Sequence, residues 1–534
     1  MIAPWRRLTA DVLAEIFLLA LPDEWHDHCA GSVILSLTQV CHIWRSIALG
    51  TPRLWTFIKV SLANSPRFRW AEVVAAYVAR SGDALVRIHI NLSRPHEFPY
   101  QRAWVENVFW RPEAWARLCE HAYRWESAHL EEIPAFAFSG TPAVPFARLT
   151  TLTWHYAAPP ASRGSMCSIP TTFYAQAPHL QSVTLCYNTE PQPLVLPRAW
   201  RMSRLTVRAG PRRGRSKMNE DLYESRTDAM PPRKTLVPAL SIVHAARHWL
   251  QDLELGVASL DPGTLQGTMS TSSATEFPML RRLVLYDDAC QLADWIVAPQ
   301  LRDIRVEADG SYHGVEQDRD DPFWGDSLRS VTQLLARPGG CARLRSLHLS
   351  PQMDEDLHTL LSCLESVPML EQLVLDTVEN DEFPDGILRF EVVLALTRRA
   401  GNPHSLALLP SLVALTLNFE ICMTMQDDEV LQLDDQSYSP LPMHNAVWRM
   451  LASRRRKQSH GGKTLRALRA FSSNINREQG CKSWPLPAPA QLSLSTTSAV
   501  DWSSGAEEEL VRVMCEEEDP YDETPLYIEE TKYS

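Results

Sequence analysis

The chain is expected to fold as an α/β protein, with a small helical module followed by a solenoid of parallel strands and helices outside them. Three observations predict this. Apolar residues fall at helical spacing over the first 55 residues. A six-residue pattern, apolar-x-x-apolar-x-apolar, then returns twelve times, and several copies carry a proline just before their first position. Steps between first positions run from 21 to 53 residues, and shorter ones such as 24, 22, 30, 21 and 26 fit one strand plus its return connection.

In the first helix, Thr9 is the candidate N-cap and Asp11 sits in the first turn, where the helix dipole favours negative charge. Val12, Leu13, Ile16, Phe17, Leu19 and Ala20 give a wide apolar stripe that Pro22 ends. After a polar stretch from Asp23 to Ser32, Val33, Leu37, Val40, Trp44 and Ile47 recur at spacings of 4, 3, 4 and 3. That is one face of a second helical piece. Gly50, Thr51 and Pro52 stop it, and Leu54 and Trp55 follow as apolar residues read as exposed.

From Thr56 the period changes. Ile58, Val60 and Leu62 alternate as in a strand; Trp70, Val73, Val74, Tyr77 and Val78 return to helical spacing. The repeated pattern begins at Leu85/Ile88/Ile90. It continues through Trp125/Ala128/Leu130, Leu149/Leu152/Trp154, Leu180/Val183/Leu185, Met202/Leu205/Val207 and Leu250/Leu253/Leu255. Leu280/Leu283/Leu285, Leu301/Ile304/Val306, Leu344/Leu347/Leu349, Leu370/Leu373/Leu375 and Leu412/Leu415/Leu417 follow, with Leu465/Leu468/Ala470 the weakest copy. Pro178, Pro278, Pro299, Pro368 and Pro410 precede their copies, where proline ends a helix and aims the strand. Residues 209–230 and 267–275 read as insertions, and residues 476–534 as a Pro/Ser-rich and then acidic tail with little packed structure.

Composition narrows the function. The net charge of −12 disfavours general attraction to nucleic acid, and the acidity is concentrated. From Ala506 onward eleven Asp/Glu face two Lys/Arg, so the body before it is close to neutral. Eleven scattered cysteines without a C-x-x-C pair fit reduced, mostly buried thiols and a cytoplasmic or nuclear location. No apolar run approaches the ~20 residues of a membrane span; the longest, Leu406 to Leu417, is broken by Pro410.

Chemical motifs are sparse. His26, His28 and Cys29 cluster in the loop between helical pieces, and His244/His248 have the i, i+4 spacing of a zinc pair. Neither has further ligands nearby, so no metal and no cofactor is expected. Gly462-Lys463-Thr464 resembles the end of a P-loop, but Lys457 stands where the first glycine belongs. Arg454 to Lys457 read as a solvated basic loop, with nuclear import as the sharper alternative. No nucleophile elbow, dinucleotide fingerprint or kinase set occurs, so no catalytic residue is expected and a dispersed active site is the residual enzyme reading.

Leu8 to Trp55 resembles the F-box. L-T-A-D-V-L-A-E-I-F from Leu8 to Phe17 is similar to the family's opening L-P-x-E-[LV]-L-x-x-I-F. V-C-H-I-W-R-S-I-A from Val40 to Ala48 is similar to V-C-[RK]-x-W-[RK]-x-[ILV]-A, and T-P-R-L-W at Thr51–Trp55 fits the form common in fungi. Thr9 replaces the family's usual proline, and the gap between the halves is longer than usual. The resemblance implies a three-helix module over residues 1–55 that binds a Skp-type adaptor and, through it, a cullin scaffold. It carries over Leu8, Val12, Leu13, Ile16, Phe17, Val40, Trp44, Leu54 and Trp55 as adaptor contact or support positions. Residues 56–475 resemble irregular leucine-rich repeats, although Asn188 alone fits the usual asparagine position. Together these imply a non-catalytic substrate receptor of a Skp–cullin–F-box ubiquitin ligase that holds a client protein on the concave strand face. The alternative is a ligase-independent repeat scaffold with a degenerate F-box.

Overall fold

The computed structural model describes residues 8–21, 30–61, 69–92, 112–131, 133, 135–138, 145–156, 171–187, 197, 200–209, 243–244, 246–257, 275–307, 327–337, 341–349, 357–376, 390–398, 408–418, 450–451, 453–454, 458–460 and 463–472. The chain is α/β, with parallel strands and several helices in an arrangement compatible with a solenoid. Among the described residues one compact unit runs to Leu301 and a second begins at Arg302. The boundary expected between residues 55 and 56 lies inside the first unit. The expected tail lies outside the described residues, as do the two insertions apart from Ala209 and Thr275.

The first unit opens with α1 (Ala10–Leu19), α2 (Ala30–Val40) and α3 (His42–Leu49), then a 3-10 turn at Pro52–Trp55. Thr9 has the extended backbone of an N-cap, but its hydroxyl makes no capping bond. The single helical face read from Val33 to Ile47 is cut at Cys41, whose backbone is extended (φ −161°, ψ 171°). The break is satisfied locally. Cys41 Sγ accepts the Trp44 amide at 3.5 Å, and Arg45 Nε donates to the Thr38 carbonyl at 2.8 Å. Orphan groups at both new helix ends thereby find partners.

There follow β1 (Phe57–Ser61), α4 (Trp70–Arg80), β2 (Val86–Asn91), α5 (Pro112–Glu120), β3 (Trp125–Glu131), β4 (Thr151–Tyr156), β5 (Ser182–Tyr187), β6 (Arg204–Ala209) and β7 (Asp252–Val257). The two-residue β8 (Thr275–Glu276), β9 (Arg282–Asp287) and the two-residue β10 (Ile296–Val297) complete the unit. Strands β1 to β7 pair in chain order, all parallel, with β9 next to β7; β8 pairs with β10. The second unit comprises β11 (Asp303–Glu307), α6 (Ser327–Ala336), β12 (Ser346–Leu349), α7 (Leu357–Glu365), β13 (Gln372–Asp376), α8 (Phe390–Leu396) and β14 (Ala414–Asn418). It ends with β15 (Gln458–His460), β16 (Lys463–Leu465) and β17 (Ala470–Ser472). Its parallel order is β11-β12-β13-β14-β17. Lys463 and Thr464 form a hairpin strand with β15, not a phosphate loop.

Eleven of the twelve repeated patterns each become one strand because alternate positions share a face. The second and third apolar positions are sealed in the core: Ile88 and Ile90, Leu152 and Trp154, Leu283 and Leu285, Leu373 and Leu375 are all under 5% exposed. Burying each such side chain contributes about 1.5–3 kcal/mol. The prolines act as turn residues. In Ala177-Pro178-His179-Leu180 the Leu180 amide donates to the Ala177 carbonyl, and the amides of Leu280, Leu301, Leu370 and Leu412 donate likewise to the carbonyls of Phe277, Ala298, Val367 and Leu409. Proline thus occupies the second position of a β-turn, where its fixed φ is favourable. A seam also links successive copies: the Gln181 carbonyl accepts the amides of Ser203 and Arg204, and the Ser203 carbonyl those of Gln251 and Asp252.

One basic residue has an unexpected place. Arg454, read as part of a solvated loop, is 1% exposed. Its guanidinium donates to the carbonyls of Leu396 (2.6 Å), Leu408 (3.1 Å) and Leu409 (3.2 Å). Leu396 ends α8, so the cation serves that helix's C-terminal carbonyl. Leu409 has φ of +48°, costly for a branched side chain, and its carbonyl is bonded by both Arg454 and the Leu412 amide. Burial, with Arg398 nearby, lowers the Arg454 pKa to about 9, so it stays charged at neutral pH. The rest of the basic run, Arg455 to Lys457, lies outside the described residues.

Candidate functional site

Two places in the first unit concentrate chemistry. The first is the surface of α1–α3. Its core is complete within the unit: Leu13, Phe17, Ile34, Ala48, Leu54 and Trp55 are buried together, with Leu37, Trp44, Ile47 and Tyr77 packed against them. Phe17 and Trp44 rings lie 4.9 Å apart. Trp55 donates through Nε1 to the Ala48 carbonyl at 2.8 Å, meets Tyr77 of α4 edge-on at 5.1 Å and carries the Arg80 guanidinium over its ring at 4.3 Å. The expectation that Leu54 and Trp55 are exposed is therefore corrected; they are 0% and 1% exposed because the turn after α3 folds them under α1 and α4.

The nine residues singled out from the sequence divide accordingly. Leu13, Phe17, Leu54 and Trp55 are core, and a partner could reach them only by opening the module. Trp44 is half-buried. Leu8, Val12, Ile16 and Val40 face outward, between 40% and 57% exposed. Val12 and Ile16 are one helical turn apart on α1, and Leu8 lies just before its N-cap Thr9. Leu19, Leu35, Ile43 and Leu49 are also exposed, so eight large apolar side chains lie uncovered on or beside these short helices. Exposed apolar side chains gathered on so small a module make it a candidate interaction surface.

The second place is the polar face of the parallel sheet, opposite the core-facing Ile88, Leu130 and Trp154. Register aligns His89 of β2 with His129 of β3, and Glu131 of β3 with His155 of β4. His89 and Glu131 are 4% and 7% exposed. Glu131 Oε1 lies 2.6 Å from His129 Nε2 and 3.3 Å from His89 Nε2, and the His129 ring stands 4.5 Å from that of His89 and 5.0 Å from that of His155. Burial alone would push the Glu131 carboxyl up, but hydrogen bonds from His129 and His89, with the electrostatic influence of His129 and His155, hold it well below the usual range. Burial pushes the His89 imidazole down, toward the neutral form.

Farther along the same face Arg208 pairs with Glu254 and its guanidinium meets the Tyr286 hydroxyl at 2.7 Å, while Thr206 donates to Glu254 at 3.3 Å. The bonded pairs of this group are 32 to 78 positions apart, so only the strand register reveals them. The histidines expected from spacing behave otherwise. His244 and His248 are exposed, and His26, His28 and Cys29 lie outside the described residues. A small apolar pocket lined by Val243, Leu255, Phe277, Leu292 and Trp295 has His244 as the one ionisable residue among its described lining, too few groups there for acid–base chemistry. None of the six described cysteines forms a disulfide, and burial lifts Cys119 and Cys341 to about 12, so both are protonated and inert. Among the described residues no helix is long and apolar enough to cross a membrane. Comparison with protein-family models and with curated proteins finds no match for this chain.

Proposed function

We propose that the chain is a non-catalytic substrate receptor of a Skp–cullin–F-box ubiquitin ligase. In this reading α1–α3 are the F-box, and the parallel strands form a leucine-rich-repeat-like array whose polar face holds a client protein. The observation that carries it is the outward row Leu8, Val12 and Ile16, with Val40, on a module whose own core is already filled. Apolar side chains that the module does not need for folding are available to a helix-rich adaptor. The matched motif residues Leu13, Phe17, Leu54 and Trp55 then act as support, fixing the three helices so that the row is presented rigidly.

The mechanism is proximity. The adaptor and cullin anchor one end, the array holds the client, and the rate gain comes from a raised effective concentration beside the ubiquitin-loading enzyme. No acid–base group on this chain is required, and the location implied is cytoplasmic or nuclear. One observation favours the alternative of a ligase-independent scaffold: Thr9, which stands at the family's proline, makes no side-chain cap.

The test is co-expression of the full chain with a Skp-type adaptor, followed by capture of either partner. Native chain should retain the adaptor, and Val12→Glu plus Ile16→Glu should lose it while keeping the native thermal unfolding profile. A native chain that captures no adaptor removes the ligase reading and leaves the scaffold.

A further inference from the structure

We propose that His89, His129 and Glu131 form a zinc-binding site on the polar face of the first unit. The three ligand atoms lie within 4.8 Å of one another, the one such group of His, Cys, Asp or Glu among the described residues. Two imidazoles and one carboxylate are the donor set of three-ligand zinc centres, whereas calcium and magnesium prefer oxygen donors throughout.

The geometry is close to what coordination needs. With metal–ligand distances of about 2.0–2.1 Å, donors at the corners of a tetrahedron are roughly 3.3 Å apart. His89 Nε2 and Glu131 Oε1 are 3.3 Å apart, and His129 Nε2 to Glu131 Oε1 must open from 2.6 Å. A side-chain rotation accomplishes that, because His129 and Glu131 are two residues apart on one strand and the backbone positions stay fixed by the ladder on both sides. His155, next to His129 and in register with Glu131, can supply the fourth donor; otherwise that position takes water.

The burial of the cluster also asks for such a ligand. A carboxylate 7% exposed is costly unless strongly compensated, and a dication compensates it more fully than two imidazole N–H groups. Lys59, in register with His89 on β1, adds positive charge and works against the ion, which places the affinity below that of the same ligands without it. The site does not depend on the adaptor-docking reading, since it involves none of the α1–α3 surface.

The full-length chain, stripped with chelator, is titrated with zinc chloride, and bound metal is counted after dialysis. One zinc per chain is expected, and Glu131→Gln or His129→Asn should weaken it by more than about tenfold. His244→Ala, removing a histidine outside the cluster, should leave binding unchanged. Because the variants could disturb folding, cobalt added to the native chain supplies a second reading. Nitrogen and oxygen donors give weak visible bands without the intense near-ultraviolet absorption of a thiolate site. Absence of stoichiometric zinc, equal binding by Glu131→Gln, or a thiolate-type cobalt spectrum each overturns the proposal.

Discussion

Single side chains carry effects of opposite sign in this fold. Arg454 is a buried cation shared by three carbonyls, so Arg454→Met fills similar space but takes the guanidinium bonds from Leu396 and Leu408 and leaves the Leu409 carbonyl with the Leu412 amide alone. The variant should lose on the order of 3 kcal/mol, read as a lower urea midpoint for exchange of the β14 amides. Lysine should not rescue it, because one ammonium cannot reproduce the planar fork. Tyr174 is the reverse case. Its hydroxyl is buried among Phe138, Phe146, Phe173 and Trp154 with no hydrogen-bond partner among the described residues, and burial drives its pKa well up. Tyr174→Phe keeps the ring and removes an unsatisfied group, so Tm should rise by a few degrees, equivalent to about 1 kcal/mol. A fall in Tm would show that the hydroxyl is bonded. Neither residue betrays itself in sequence: Arg454 begins a run of four cations that looks solvated, and Tyr174 follows Phe173 in a segment without period. The His89–His129–Glu131 cluster is equally hidden, because His89 joins the His129–Glu131 pair of β3 only when β2 and β3 pair.

At the scale of elements the sequence is far more explicit. Alternation is a backbone property, so eleven of the twelve repeated patterns fall directly on strands, and the twelfth ends where β17 begins. Helix α4 likewise follows the spacing of Trp70, Val74 and Val78, all buried. What periodicity could not locate was the break at Cys41. The apolar spacing from Val33 to Ile47 runs through it without a proline or glycine, and the interruption depends on a thiol and an arginine that cap the two new ends. The division of the nine N-terminal candidates is also tertiary in origin. Phe17 and Ile16 are adjacent letters of one apolar stripe, yet one is sealed at 0% and the other exposed at 42% because α3 and the Pro52–Trp55 turn cover a single side of α1. For that reason Val12 and Ile16, not Leu54, are the informative positions for testing adaptor capture.

Across a whole unit, the in-register ladder and the repeated seam imply that each strand is stabilised chiefly by the strands on either side of it. Folding free energy in such an array is a sum of local terms and nearest-neighbour interfaces, not one indivisible core. The first unit offers a direct test at its middle. Leu205 of β6 is fully buried, and Leu205→Ala should cost about 2–5 kcal/mol through lost burial and the cavity left behind. Its register partners are Val183 on β5 and Leu253 on β7, so protection from hydrogen exchange should fall most in β5, β6 and β7. Amides of β1 and β2, whose own interface through Ile58 and Ile88 is untouched, should retain most of theirs. A uniform loss from β1 to β9 would mean that the unit melts as one, and the nearest-neighbour description would be wrong.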